Sequence, residues 1–319
     1  MIITLTANPS LDRTATLDRP LTRGDVHRVS GVTVEPGGKG INVARVCHYA
    51  GHPVRALLPA GPQDPILLGL DEIGVAYRTV QIKDRVRMNI TLTEADGTTT
   101  KLNEPGPTLD AETIEKLAHL IVRESERADW VVLSGSLPPG VPAEWYADLV
   151  KALRPWGVMI AVDTSDAPLQ ALADRFPEAA PDLLKPNSEE LAQLTGADAD
   201  ELESSAKAGD PSACVAAAKT LVERGVGAVM ATLGGAGAVL VTPDGAWHAT
   251  PPPITLRSTV GAGDSSVAGY VLAHTRGASA PDRLRTAVAY GSAAASLAGT
   301  ALPHPDQLNL AAVTVSAVG

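Results

Sequence analysis

Short apolar runs recur along the chain at intervals that leave room for a helix between them. Residues 2–7, 54–58, 130–133, 158–163, 183–185 and 228–233 are too short for buried helices and rich in β-branched side chains, so they are predicted strands. Apolar positions at helical spacing lie between them, over residues 41–50, 111–124, 143–153, 188–194 and 212–224. Such alternation is the pattern of βαβ units. It predicts an α/β fold whose mainly parallel sheet is covered by helices on both faces. Two stretches break the pattern, residues 12–34 and 87–102, which are polar at alternate positions and poor in helix signals. Residues 87–93, the turn pair Asp96-Gly97 and residues 98–102 together predict a β-hairpin. The two stretches are expected to meet in one small sheet lying over the main body as a lid. The expected division is a core of residues 1–10, 35–84 and 106–319 and a lid of residues 11–34 and 85–105.

Composition narrows the function classes. Aromatic residues are only 3% of the 319, so the core must be built from Val, Leu, Ile and Ala. The formal net charge of −10 argues against nucleic acid as the main partner, because binding a phosphate backbone needs a positive surface. Cys47 and Cys214 are too few for a disulfide framework and are expected to be small buried hydrophobes. The seven histidines are scattered, which gives no transition-metal motif. The uncharged stretch 225–243 is broken by Gly234-Gly235 and Gly237, and the stretch 286–303 is mostly Ala, Ser and Gly. Neither is expected to span a membrane. The first residues lack the basic and apolar regions of a signal peptide, so the expected compartment is the cytoplasm.

Candidate chemistry sits where strands give way to helices. Gly261-Ala262-Gly263-Asp264 precedes a helical pattern in which Val267, Tyr270, Val271 and His274 share a face and Gly277 ends the helix. Small residues there leave backbone N–H groups unobstructed, and the helix dipole adds positive potential, so a phosphoryl group in transfer can be stabilised. Asp264 faces the same space and can accept a hydroxyl proton. Alone, the stretch is also what a glycine turn with an acidic helix start looks like. Pro36-Gly37-Gly38-Lys39-Gly40 opens another helix, where backbone amides, Lys39 and Asn42 can bind sugar hydroxyls; a tight strand-to-helix turn is the alternative. It is neither a Walker loop nor a dinucleotide fingerprint. Asn187 and Glu190 fit a helix capping box and, equally spaced, a hydrated Mg²⁺ site.

Taken in order, Gly37-Gly38-Lys39-Gly40-Ile41-Asn42-Val43-Ala44, Lys185-Pro186-Asn187-Ser188-Glu189-Glu190 and Val260-Gly261-Ala262-Gly263-Asp264-Ser265 resemble the ribokinase, or PfkB, family of carbohydrate kinases. The resemblance implies a ribokinase-like three-layer α/β/α core with a β-sheet lid. It implies Asp264 as general base and the amides of Gly261, Ala262 and Gly263 as anion hole. Substrate would be held by Asp12, Gly38, Lys39 and Asn42, with Arg87 gripping its phosphate. ATP would meet Lys185, Asn187, Thr232, Gly234 and Gly237, with Val288, Gly291 and Ser292 beside adenine, and Asn187 and Glu190 would serve Mg²⁺ through water. Asn8-Pro9-Ser10-Leu11-Asp12 resembles the branch acting on phosphorylated ketohexoses, which comprises 1-phosphofructokinases, tagatose-6-phosphate kinases and minor 6-phosphofructokinases. Members using fructose 6-phosphate tend to carry glycine at the Lys39 position and lysine near Asp25. The expected reaction is therefore fructose 1-phosphate to fructose 1,6-bisphosphate, although Glu35-Pro36-Gly37-Gly38 resembles the 6-phosphofructokinases. A sugar-phosphate sensor that kept the fold would have lost the base or the glycines, and both are present. An uncovered lid edge also invites a second copy, which makes a homodimer through the lid a candidate assembly.

Overall fold

Ile2, Ile3 and Leu5 have no solvent exposure, and their alternation shows why the strands form: Ile3 and Leu5 enter one apolar core, Ile2 the other. The computed structural model describes residues 1–319. Its strands are β1 (Ile2–Leu5), β2 (Ser10–Leu17), β3 (Val29–Gly37), β4 (Val54–Ala60), β5 (Tyr77–Gln81), β6 (Arg87–Thr93), β7 (Thr99–Asn103), β8 (Trp130–Ser134), β9 (Met159–Asp163), β10 (Leu183–Leu184), β11 (Val229–Thr232), β12 (Ala238–Thr242), β13 (Gly245–Thr250) and β14 (Thr314–Ala317). The helices are α1 (Lys39–Tyr49), α2 (Pro65–Ile73), α3 (Ala111–Ser125), α4 (Trp145–Leu153), α5 (Asp166–Ala173), α6 (Ser188–Thr195), α7 (Ala199–Lys207), α8 (Ser212–Glu223), α9 (Ala262–Thr275) and α10 (Ala280–Ala295).

Ten strands form the large sheet in the order β14-β13-β12-β11-β10-β9-β8-β1-β4-β5. From β11 to β5 all neighbours are parallel, and β12 to β14 extend the sheet antiparallel. One face packs on α3 to α8, and the other on α1, α2, α9 and α10. The parallel sheet is the one that the alternation predicted, and the three-layer α/β/α arrangement is the one that the family resemblance implied. The chain leaves β1 for β4 on one side, while β8 returns on the other. Such a switch point opens a crevice at the carboxyl ends of parallel strands.

A separate four-stranded sheet has the order β3-β2-β6-β7. The hairpin around Asp96-Gly97 is present, with Thr93 opposite Thr99. The central pair β2–β6 is parallel, with Ser10 opposite Arg87. This sheet is tied to the main body through Glu35 of β3. Its carboxylate takes a hydrogen bond of 2.8 Å from the buried Arg45 of α1 and another from the Thr300 hydroxyl.

Two helices differ from expectation. The periodicity gave α1 and α9 one packing face each, yet Gly40–Cys47 and Asp264–Ala273 are buried all round. The reason is close helix packing. A Cβ at Gly269 would lie 2.9 Å from the Thr286 carbonyl oxygen, and one at Gly291 would lie 3.3 Å from the Ala262 carbonyl oxygen, so α9 and α10 touch backbone to backbone. The first part of the Ala, Ser and Gly run over residues 286–303 is the second half of α10, which carries Gly291 of this interface. No helix is long and apolar enough to cross a membrane. Cys47 and Cys214 are buried, and burial pushes both thiols up to about 12.

Candidate active site

The crevice is built from the ends of β1, β8, β9, β10 and β11 and from the first turns of α1, α6 and α9. Glycine at position 38 is dictated by a φ of +107°, and a Cβ at Gly40 would stand 2.6 Å from the Leu5 carbonyl oxygen. The start of α1 is thereby pressed onto the end of β1, which aims Lys39 and Asn42 into the crevice.

Asp264 lies in the first turn of α9 and is buried. Its Oδ2 accepts a 2.8 Å hydrogen bond from Asn42 Nδ2, and its Oδ1 takes no donor from the protein. Burial and then the Asp163 carboxylate push its pKa up to about 6. Asp264 is therefore a stronger base than an exposed carboxylate. At the helix start, Ala262 N–H turns back on the Thr259 carbonyl at 3.4 Å, while the amides of Gly261, Gly263 and Asp264 donate to no protein acceptor. Three orphan amides and a helix dipole therefore meet beside the buried carboxylate.

Lys39 and Lys185 converge on Asp163 at the end of β9. Lys39 Nζ stands 2.9 Å from Asp163 Oδ1, and Lys185 Nζ stands 3.4 Å from the same oxygen. Burial alone would raise the Asp163 pKa, but the Lys185 and Lys39 charges outweigh it and hold the carboxyl below its ordinary value. Burial opposes the Lys39 charge, and the Asp163 and Asp264 carboxylates reverse this and raise the Lys39 pKa. Lys39 is thus drawn to the Asp264 end of the crevice rather than to Arg87.

Arg87, the first residue of β6, donates from Nη1 to the Glu104 carbonyl at 3.2 Å, and its Nε has no protein partner. Burial lowers its pKa, while the Asp12 and Glu104 carboxylates counter that effect. Asp12 Oδ1 accepts from Ser10 Oγ at 2.7 Å and from Asn89 Nδ2 at 3.0 Å, and the Asp12 carboxyl lies directly over Gly37.

On the far side, Asn187 and Glu190 make the full capping box of α6. Asn187 Oδ1 accepts from Glu190 N at 2.7 Å, and Glu190 Oε2 accepts from Asn187 N at 2.8 Å. Glu190 Oε1 stays without a protein donor, and burial raises its pKa. A buried carboxylate with one free oxygen fits a hydrated divalent cation held through water. Asn187 pairs with Thr232 at the end of β11, followed by the turn containing Gly234. At Gly237 a Cβ would overlap the Ala249 carbonyl oxygen at 1.9 Å, so that glycine is required by packing. On α10, Val288 is buried, Ser292 Oγ donates to the Val288 carbonyl, and a Cβ at Gly291 would lie 3.3 Å from the Ala262 carbonyl. This brings α10 beside the orphan amides. No sequence motif singles out Asp163, which locally is only an acidic residue at the end of the buried apolar strand β9.

The family model described as pfkB family carbohydrate kinase matches residues 5–307. The chain belongs to the pfkB family of carbohydrate kinases. It is 34% identical over 320 residues to the 1-phosphofructokinase of Rhodobacter capsulatus, covering 99% of this chain and 96% of that one. It is 38% identical to the 1-phosphofructokinase of Xanthomonas campestris pv. campestris, over 85% of this chain and 83% of that one. The crystal structure of phosphofructokinase-2 from Escherichia coli in complex with substrates and products superposes with a TM-score of 0.87. That match is at 34% identity and covers 96% of each chain. The ribokinase-like fold of this pfkB kinase thus holds in sequence and in structure.

Proposed function

We propose that this pfkB kinase transfers the γ-phosphoryl group of ATP to fructose 1-phosphate, giving fructose 1,6-bisphosphate. The observation that carries the reading is the pairing of a buried, Asn42-held Asp264 with three orphan amides at the start of α9. A carboxylate with a free oxygen accepts the 6-hydroxyl proton as the new O–P bond forms and the bond to the ADP oxygen breaks. The amides of Gly261, Gly263 and Asp264 face the charge on the moving group and need no reorganisation. Arg87 and Asp12 supply a cation and an acceptor for a phosphorylated sugar, with Gly38, Lys39 and Asn42 along its hydroxyls. Lys185, Asn187, Thr232, Gly234 and Gly237 would line the nucleotide, with Val288, Gly291 and Ser292 toward adenine. Asn187 and Glu190 would hold Mg²⁺ through water, and the cation would neutralise charge across the phosphates. Residues 11–34 and 85–105 of the small sheet, whose strands β2 and β3 run on into the core at Ser10 and Glu35–Gly37, act as a lid that keeps water from the phosphoryl group. Residues 1–10, 35–84 and 106–319 form the core.

Release of ADP from Mg-ATP, measured against fructose 1-phosphate, fructose 6-phosphate, tagatose 6-phosphate and free fructose, tests this reading. The highest kcat/KM is expected with fructose 1-phosphate. A preference for fructose 6-phosphate or tagatose 6-phosphate would move the chain to a neighbouring activity of the branch. Turnover of free fructose alone would remove the role given to Arg87.

The same reading extends to assembly. Strand β3 is an edge of the small sheet, and Val29, Val32 and Val34 on it are 46%, 44% and 51% exposed. A homodimer through this edge is expected in sedimentation velocity at micromolar concentration, with Val32→Asp shifting the population to monomer. A wild-type chain that sediments only as monomer would contradict it.

A further inference from the structure

Two ammonium groups from distant parts of the chain share one oxygen of one buried carboxylate. Lys39 opens α1, Lys185 follows β10, and both reach Asp163 Oδ1, at 2.9 and 3.4 Å. Asp163 is 1% exposed, and its backbone is fixed. Its carbonyl accepts from Gly135 N–H at 2.9 Å, and the next strand is held by Lys185 N–H on the Val162 carbonyl at 3.1 Å. Neither lysine hydrogen-bonds Asp264, whose single protein donor is Asn42. A Cβ at Gly263 would stand 3.5 Å from Lys185 Nζ, so this ammonium lies directly beneath the amide-lined turn.

We propose that Asp163 is a positioning residue whose carboxylate gathers Lys39 and Lys185 at the floor of the transfer site and keeps both ammonium groups off Asp264. The inference rests on Asp264 being the base. Two mobile cations beside a buried carboxylate would pair with it, because opposite charges attract strongly where water is excluded. Paired in that way, Asp264 would be a weaker base, and the cations would be turned from the phosphoryl oxygens. Asp163 prevents this by offering a second anion at the end of a strand. Its own negative charge also raises the proton affinity of Asp264, second only to burial. The charged groups around Asp264 are Lys39 from α1, Asp163 from β9 and Lys185 after β10, with Glu190 of α6 acting on the same lysines.

The test is the pH profile of kcat/KM for fructose 1-phosphate in three proteins. Wild type is expected to lose activity as pH falls through about 6, because protonated Asp264 cannot accept a proton. Asp163→Asn is expected to move this acid limb down by about one pH unit and to lower kcat about 10- to 100-fold, with a smaller change in KM. Lys39→Met removes a cation and is expected to move the limb the other way, upward. A purely structural ion pair would leave both limbs at the wild-type position, and that result would overturn the proposal. Should Asp163→Asn fail to fold, the direction of the Lys39→Met shift decides, and an unmoved or lowered limb overturns it. A wild-type profile with no acid limb would instead overturn the base assignment of Asp264, so the two failures are distinguishable.

Discussion

Asp264→Asn is expected to lower kcat by about 10²–10⁴-fold while leaving the KM for fructose 1-phosphate within a few-fold of wild type. The amide has nearly the carboxylate's shape, and by turning its oxygen toward Asn42 it can keep the 2.8 Å contact that orients the group. What it loses is the ability to take a proton, so the loss should fall on turnover and not on binding. Stability should move in the opposite direction. The native carboxyl holds its proton up to about pH 6, against 3.8 in an unperturbed group. Between those values the folded state binds more protons than the unfolded one, so this group's contribution falls as pH rises through the window. At pH 7 wild type carries the full cost of the buried charge, and the asparagine variant does not. The variant should therefore melt no lower than wild type at pH 7. Near-normal turnover in steady-state assays would remove Asp264 from its role.

Arg87→Ala is expected to raise the KM for fructose 1-phosphate by about 10- to 100-fold, with Arg87→Lys intermediate. The guanidinium uses one nitrogen on the Glu104 carbonyl, and its Nε meets no protein acceptor. It is thus a partly desolvated cation with donors to spare, facing the site beside Asp12. Hydrogen bonds from such a charge are worth about 1.5–3 kcal/mol, which corresponds to this range of affinity. Lysine keeps the charge but loses the planar fork. The control is turnover of free fructose, which has no phosphate to lose and should change little. An equal loss for phosphorylated and free sugar would show that Arg87 supports the lid instead.

Much of this could be read from local sequence, because it is locally determined. The strand-helix alternation follows from side-chain spacing, the hairpin at Asp96-Gly97 from turn chemistry, and the Asn187–Glu190 box from two side chains three residues apart. What escaped depends on partners far along the chain. Nothing near Val267 or Tyr270 reveals that α10 covers the other side of α9; Gly269 and Gly291 make sense only when both helices are present. Lys39 read as a cation for the substrate, and only the fold brings it to Asp163, 124 positions later. Asp163 ends an unremarkable apolar strand, and its meaning comes from the two lysines it meets.

The parallel pairing of β2 with β6 has a consequence for how the protein matures. Asp12 and Asn89 meet across that seam although 77 positions separate them, and α1, β4, α2 and β5 lie between. No local hairpin can form such a seam. Contacts of this separation close late, after the intervening chain has been ordered. A partly folded molecule with only the main body in place would lack the junction between Asp12 and Arg87. It would also bear two unpaired strands open to association with other chains. A sugar phosphate that needs Asp12 and Arg87 together would bind only the closed seam, and its binding would then draw the population toward the finished molecule by mass action. The substrate would then act as a late folding partner of the enzyme that consumes it.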